Sequence, residues 1–263
     1  MRRIYWALAN RDALSSNKEE ESFYRNLLVG LGRNDIIFDV GANGGAKTDV
    51  FLRLGACVVA VDPDDTNLSI LRDRFLRYRL RRCPVVLVGK AVSDKNAVER
   101  MWIDGPGSAV NTLNRKWADH LKENSKTFKY EHYGLDFSSS KSVETTTIED
   151  LIGIHGVPFF IKIDVEGYEL NVLRGMRRPV PFVSFEINLR VLRKEGVECV
   201  QLLRALKPDG EFNYTPDCCS GLVLPEWLKD EEFCAVLESC EDETIEVFWR
   251  SNCGVQRTPK ATA

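Results

Sequence analysis

The stretch Ile36-Ile37-Phe38-Asp39-Val40-Gly41-Ala42-Asn43-Gly44-Gly45 decides how the chain folds. Five residues, apolar except for Asp39, run into a glycine-rich turn, and apolar residues then recur at helical spacing from Ala46 to Leu54. A short apolar run closed by glycine and followed by a helical pattern reads as buried strand, tight turn and crossover helix. Glycine lets the backbone bend and approach a ligand, and the helix start offers unpaired N–H groups to it. The alternation then repeats. Cys57 to Val61 predicts a second strand, Thr66 to Tyr78 a second helix, and Val85 to Val92 a third strand. Such alternation means a parallel sheet with helices on both faces. Asp62 closes the second strand, where a carboxylate can accept hydrogen bonds from ribose hydroxyls. Strand, turn, helix, strand and acid in this order point to a nucleoside-containing cofactor.

Polarity at the turn narrows the choice. The dinucleotide fingerprint wants glycine at 43 and preferably at 46, but the chain has Asn43 and Ala46. A side chain at 43 stands where a pyrophosphate must come close, which disfavours NAD. S-adenosylmethionine carries no phosphate. Its ammonium and hydroxyl groups suit an acid at Asp39, which would repel a pyrophosphate, so the turn favours the methyl donor.

The run Ile37 to Gly44 is followed by Val61-Asp62-Pro63 and Ala91-Val92-Ser93-Asp94. Further on come Ile161-Lys162-Ile163-Asp164-Val165-Glu166-Gly167-Tyr168-Glu169 and Val172-Leu173-Arg174-Gly175. Together these blocks resemble the FkbM family of S-adenosylmethionine-dependent methyltransferases, over about residues 36 to 190. The resemblance implies an α/β, class I (Rossmann-like) methyltransferase fold: a central, mostly parallel seven-stranded sheet, with helices on both faces and an inserted lid. It implies O-methylation of a hydroxyl on a sugar, natural product or similar small molecule. The cofactor would then lie against Asp39, Gly41, Ala42, Asn43, Gly44, Asp62, Pro63, Ala91 and Val92. Asp62 stands where many members have Glu, and the stretch from Trp102 to Ser142 matches only loosely.

Strand geometry adds the catalytic candidates. Along Phe160 to Val165 the side chains alternate, so Lys162 and Asp164 share one face while Ile161 and Ile163 share the other. Asp39, Asp62, Asp164 and Glu186 all fall at carboxyl ends of strands, the rim where open parallel sheets bind ligands. Asp164 is expected to orient or deprotonate the acceptor hydroxyl, with Glu186 or Lys162 tuning it. The plainer readings are that each acid caps a helix and that Lys162 rests its head on Asp164. An acid pair also suits Mg²⁺, but neither Asp164 nor Glu186 is followed by the further acids of a metal cage, so no metal is assigned.

Composition bounds the rest. The chain has 263 residues, with 36 Lys and Arg against 39 Asp and Glu, a formal charge of −3. No basic excess marks a nucleic-acid binder, and Asp164-Val165-Glu166-Gly167 stands where a nucleic-acid methylase would carry an [ND]-P-P-[YF] tetrad. No apolar run reaches membrane-spanning length. The expected partner is a small-molecule or glycan acceptor, with no nucleic acid and no membrane; the sequence leaves the oligomeric state open. Met1 to Asn10 reads as no export signal, and none of the eight cysteines forms a C-x-x-C pair, so reduced thiols and a cytoplasmic location are expected. Adjacent Cys218 and Cys219 read as small buried hydrophobes. The alternative reading is an inactive S-adenosylmethionine-binding module, against which the intact row of acids speaks.

The organisation expected is a helical extension over 1–32, a methyltransferase domain over 33–250 and a flexible tail over 251–263. Ser16 to Glu19 and Thr146 to Glu149 have capping-box form. Residues 102–142, rich in Gly, Ser, Asn, Lys and Tyr, read as an insertion covering the substrate. Later elements are a strand over Phe159 to Val165, a helix over Tyr168 to Arg174, a strand over Phe182 to Ile187 and a helix over Glu195 to Leu206. Glu211 to Tyr214 and Thr244 to Trp249 read as an antiparallel pair of terminal strands. The arginines between Arg72 and Arg82 and the acids between Glu226 and Glu246 read as solvated surface. His120, His132 and His155 read as surface or turn residues, with Tyr130 and Tyr133 beside His132 as possible stacking partners for an acceptor.

Overall fold

The computed structural model describes residues 18–79, 85–124, 135–251 and 253. Cys57-Val58-Val59-Ala60-Val61 is β-branched or small throughout and buried at its last four positions, as a central strand of a parallel sheet must be. It forms β2 (Cys57–Val61), flanked by β1 (Ile36–Val40) and β3 (Val86–Val88). Beyond β1 lie β7 (Phe160–Ile163), β8 (Phe182–Asn188), β10 (Thr244–Arg250) and β9 (Glu211–Thr215). The order β3-β2-β1-β7-β8-β10-β9 is parallel except for β10, which runs antiparallel to both neighbours. Since β1 pairs with β2 on one side and β7 on the other, the winding reverses between them. The crevice outside the carboxyl ends at such a reversal is where open α/β sheets bind ligands.

Each face of the sheet carries its own core. Ile37, Val58, Ala60 and Phe160 pack against Phe23 and Tyr24 of α1 (18–27) and Val50 and Phe51 of α2 (Ala46–Arg53). The rings of Tyr24 and Phe51 meet edge to face at 5.1 Å, and those of Phe51 and Phe160 at 5.6 Å, pairs worth about 0.5–1.5 kcal/mol each beyond their buried area. Phe38, Val59, Ile161 and Ile163 point the other way, toward α6 (Ile148–His155), α7 (Glu169–Arg174), α8 (Arg193–Leu206) and α9 (Asp230–Ser239). Among the described residues no helix is long and apolar enough to cross a membrane.

Several expectations change in detail. The single helix expected over Thr66 to Tyr78 is α3 (Asp65–Arg74) followed by α4 (Leu76–Arg79). Phe75 between them buries its ring beside Gly45, where an added Cβ would lie 2.5 Å from it. The expected third strand splits: Val86–Val88 stays in the main sheet, while β4 (Ala91–Val92) joins β6 (Ser139–Thr146) and β5 (Val98–Ile103) in a second sheet of order β4-β6-β5. The supposed insertion thus supplies regular structure, including α5 (Arg115–Asn124). Thr147 rather than Thr146 caps α6, its Oγ1 accepting the Asp150 N–H at 3.0 Å, because Thr146 is paired with Val92 in the small sheet. Part of the acidic stretch forms α9, which buries Phe233 and Leu237 and gathers Asp230, Glu231 and Glu232 in the first turn, where acids favour the helix dipole. Ser251 is held by the Val180 carbonyl at 2.7 Å and is buried rather than part of a free tail.

The thiol expectation fails at one place: Cys57 is disulfide-bonded, to a partner outside the described residues, while Cys199, Cys218, Cys219, Cys234, Cys240 and Cys253 are free. The Ser16 cap, Arg81 and Arg82, the cluster of Tyr130, His132 and Tyr133, and the tail from 254 also lie outside the described residues.

Candidate functional site

The turn after β1 is pressed against the end of β7. Gly41 and Ala42 N–H groups donate to the Val61 carbonyl at 2.9 and 3.1 Å, and the Asp164 N–H donates to the Val40 carbonyl at 2.9 Å. Gly41 has φ of 84°, and a Cβ there would fall 1.7 Å from the Asp164 carbonyl oxygen, so only glycine fits. Asn43 takes a left-handed φ of 45°, and its side-chain oxygen accepts the Gly44 N–H at 2.5 Å. The middle-glycine position is therefore occupied by a residue that tolerates this conformation and closes the turn itself.

These contacts open a cleft of about 550 Å³ at the reversal point. Of the expected site residues, Gly41, Asn43, Asp62, Pro63, Ala91, Val92 and Asp164 line it. The others stand apart from its wall. Ala42 is buried under the turn, and the Gly44 carbonyl faces outward to accept from Arg74 at 2.7 Å. Asp39 and Lys162 are buried within the sheet layer, each 1% exposed. Glu186 lines a second cavity of about 280 Å³, with Trp117, Asn188 and Thr244. Asp164 and Glu166 line both cavities.

Asp62 is organised for hydrogen bonding. Its Oδ2 accepts the Asn43 N–H at 2.8 Å, and its Oδ1 accepts the Asp64 N–H at 2.8 Å and the Asn67 amide at 3.2 Å. Burial pushes its carboxyl upward, against those backbone N–H groups and the Asn67 amide. Asp64 caps α3 by accepting from Thr66 at 2.8 Å, so it serves structure first.

The buried charges form one network. Lys162 donates to Asp164 Oδ2 at 2.8 Å. Burial works against charge on this lysine, but Asp164, Glu246 and Asp39 around it prevail and hold it protonated well above its usual range. Burial raises Asp39 to about 6, opposed by Lys162 and by the Thr48 hydroxyl, which donates to its Oδ2 at 2.5 Å. On β8 and β10, Ser184 donates to Glu246 at 2.5 Å. Glu186 and Glu166 are both pushed upward, first by burial and then by Asp164. Among the described residues no group of three His, Cys, Asp or Glu is placed to hold a metal ion.

Residues that sequence reading passed over complete the site. Beyond β5, Ser108, Ala109 and Asn111 cover the cleft, and Asn111 bridges to Asp64 Oδ2 at 3.2 Å. Thr112 and Asn114 fasten the same stretch to the loop after β7, donating to the Glu166 and Gly167 carbonyls at 2.6 Å each. Of the histidines, His155 packs edge to face on Phe38 and His120 stacks on Trp117, and neither lines the cleft or the second cavity.

Among the described residues three buried acceptor atoms lack a partner, Asp39 Oδ1, Asn67 Oδ1 and Glu149 Oε2, and of these only Asn67 belongs to the cleft wall. A buried unpaired acceptor costs about 1–3 kcal/mol, which a ligand bearing N–H or O–H donors offsets. The amino group and ribose hydroxyls of a nucleoside amino acid supply such donors, and the acid-lined cleft suits its positive charge.

The doubly wound sheet with its antiparallel β10 and an acid-lined cleft at the reversal point is the fold of the class I methyltransferases. The sequence agrees: residues 39–212 match the model of the FkbM methyltransferase domain, and the chain belongs to that family, which uses S-adenosylmethionine. No curated protein sequence is significantly similar to the chain. Solved structures similar in outline include an S-adenosylmethionine-dependent methyltransferase from Agrobacterium tumefaciens, 8% identical, TM-score 0.40, with 88% of this chain and 60% of that one covered. A precorrin-6y C5,15-methyltransferase from Geobacter metallireducens is 9% identical, TM-score 0.40, covering 90% and 89%. The plantazolicin methyltransferase BpumL with SAH is 11% identical, TM-score 0.41, covering 96% and 90%. The chain spans 60% of the length of the Agrobacterium structure.

Proposed function

We propose that the protein transfers a methyl group from S-adenosylmethionine to a hydroxyl oxygen of a small molecule or sugar moiety. One observation carries this reading: Asp164 lines both the cleft beside Gly41 and Asp62 and the second cavity beside Glu186, which suits one residue serving a donor on one side and an acceptor on the other. The Gly41 to Gly44 turn, Asp62 and Pro63 would hold the nucleoside, with Ala91 and Val92 opposite and Asp39 beneath the amino end. S-adenosylmethionine supplies a methyl carbon made electrophilic by the cationic sulfur it is bonded to.

The chain's own part is alignment and proton handling. Ser108, Ala109 and Asn111 shield the cleft from water, which strengthens every charge interaction inside it. Lys162 fixes the Asp164 carboxyl from below. Asp164 takes the hydroxyl proton as the oxygen bonds to the methyl carbon, with the electron pair of the broken carbon–sulfur bond left on sulfur. General-base assistance of this kind contributes about 10²–10⁴-fold. The second cavity is lined by Asp164, Glu166, Glu169 and Glu186 and favours acceptors that donate hydrogen bonds over anionic ones.

The test has two arms. Calorimetry with S-adenosylhomocysteine measures the donor site, and methyl-donor consumption over a panel of methyl glycosides and hydroxylated aromatics measures transfer. Asp164→Asn is expected to keep S-adenosylhomocysteine affinity and to lose about 10²-fold or more in turnover. Undiminished turnover removes the proton-taking role of Asp164, and absent binding removes the reading as a whole.

A further inference from the structure

Glu166 has φ of 55°, in the left-handed region that a glutamate enters only at an energetic cost. The loop is fastened from elements on either side. Thr112 and Asn114 grip the Glu166 and Gly167 carbonyls, and the Glu169 carboxylate accepts the Val165 and Gly167 N–H groups at 3.1 and 3.2 Å. The side chain is held separately: Trp117 Nε1 on α5 donates to Glu166 Oε2 at 3.1 Å. Trp117 is buried, with its ring stacked on His120 at 5.6 Å and 15°. Its N–H therefore has one orientation. A strained residue that its surroundings over-determine in this way marks a functional position. Glu166 is a lining residue of both cavities, as Asp164 is.

We propose that Glu166 is a second proton-handling carboxyl of the methyl-transfer site and that Trp117 is its positioning residue. The proposal rests on the methyl-transfer reading. An acceptor hydroxyl reaching the donor cleft from the second cavity passes between the two carboxyls. Its proton moves to this pair as the carbon–oxygen bond forms and the carbon–sulfur bond breaks, its electrons staying on sulfur. The charged and titratable groups around Glu166 are Lys162 from β7, Asp164 just after it, Glu169 from α7 and Glu186 from β8, with His120 behind Trp117 on α5. Burial, Asp164 and Glu169 push the Glu166 carboxyl upward; Trp117 and Lys162 pull it down.

The experiment is a ¹³C carboxyl titration of glutamate-labelled full chain loaded with S-adenosylhomocysteine. The Glu166 resonance is the one that Glu166→Gln removes. It is expected to titrate well above the ordinary glutamate range of about 4.3. Trp117→Phe keeps the ring and deletes the donor, and is expected to move the midpoint upward by about half a unit or more; Asp164→Asn is expected to move it downward. His120→Gln should leave it in place. Where Trp117→Phe does not fold, the ¹⁵N indole resonance of Trp117 in the native chain must follow the same midpoint. A Glu166 midpoint in the ordinary range, or one indifferent to Trp117, overturns the proposal. Failure of S-adenosylhomocysteine to bind removes the methyl-transfer reading instead, so the two failures are told apart.

Discussion

Lys162 is the register partner of Asp39 across β1 and β7, yet its ammonium donates to Asp164, two residues further on and just past the end of its own strand. One buried cation thus serves two acids, Asp39 on β1 and Asp164 just past β7, and Glu246 on β10 adds a third negative neighbour. Desolvation of each charge here is tolerable only because the others are present. The network lies directly under the junction of the two cavities, so its charge balance bears on Asp164.

Removing the cation should therefore be costly. Lys162→Met leaves Asp39 and Asp164 buried or half-buried without a counter-charge, and is expected to destabilise by about 3–5 kcal/mol. Urea denaturation at pH 7 measures this. A loss below about 1 kcal/mol means the lysine is dispensable to the fold.

Asp39 predicts a dependence on pH. Its folded carboxyl is raised to about 6 from 3.8, so between these values the folded chain holds a proton that the unfolded chain has released. Its contribution to stability is full below the unfolded value and is lost as pH rises through about 6, by up to about 3 kcal/mol. Asp39→Asn removes this slope. The stability difference between variant and native chain should therefore shift in favour of the variant from pH 4 to 7, and parallel curves would contradict the assignment.

Asp62→Asn keeps one acceptor oxygen and deletes the charge. Hydrogen bonds to charged groups are worth about 1.5–3 kcal/mol, so S-adenosylhomocysteine binding should weaken by about tenfold or more with the circular dichroism unchanged. Unaltered affinity in calorimetry means that Asp62 serves only the Asn43 and Asp64 backbone.

Gly41→Ala places a methyl group on a carbonyl oxygen in a left-handed conformation. It should cost at least about 3 kcal/mol, mainly by prising β1 from β7. Gly44→Ala has no atom within 4 Å of the new Cβ and should be mild. Equal melting temperatures for the two variants would falsify the close approach.

The fold was legible because strands such as Cys57 to Val61 carry their burial in composition, and because the glycine turn at Gly41 and the acid at Asp62 punctuate the run of strand, helix and strand. Strand alternation also put Lys162 and Asp164 on one face, where they pair. Other features were out of reach. Nothing local tells Val88 and Ala91 to enter different sheets; that depends on Thr145 and Thr146, more than 50 residues later. Trp117 lies within the stretch read as an insertion, and its polar edge matters only once Glu166 is brought against it. Glu166 itself sits before a glycine, a cue for an unusual turn but not for the left-handed backbone the glutamate takes. The Cys57 disulfide escaped a search confined to C-x-x-C spacing, which is blind to bridges of any other spacing.

Strand β10 lies between β8 and β9, although both precede it in the chain. While the polypeptide is being synthesised, β8 and β9 emerge with nothing to join them, and β8 exposes an unpaired border until residues 244–250 arrive. Such a border invites association with other nascent chains. Messages cut short before codon 244 should therefore yield insoluble material, even though every residue that lines the cleft beside Gly41 and Asp62 has already been translated.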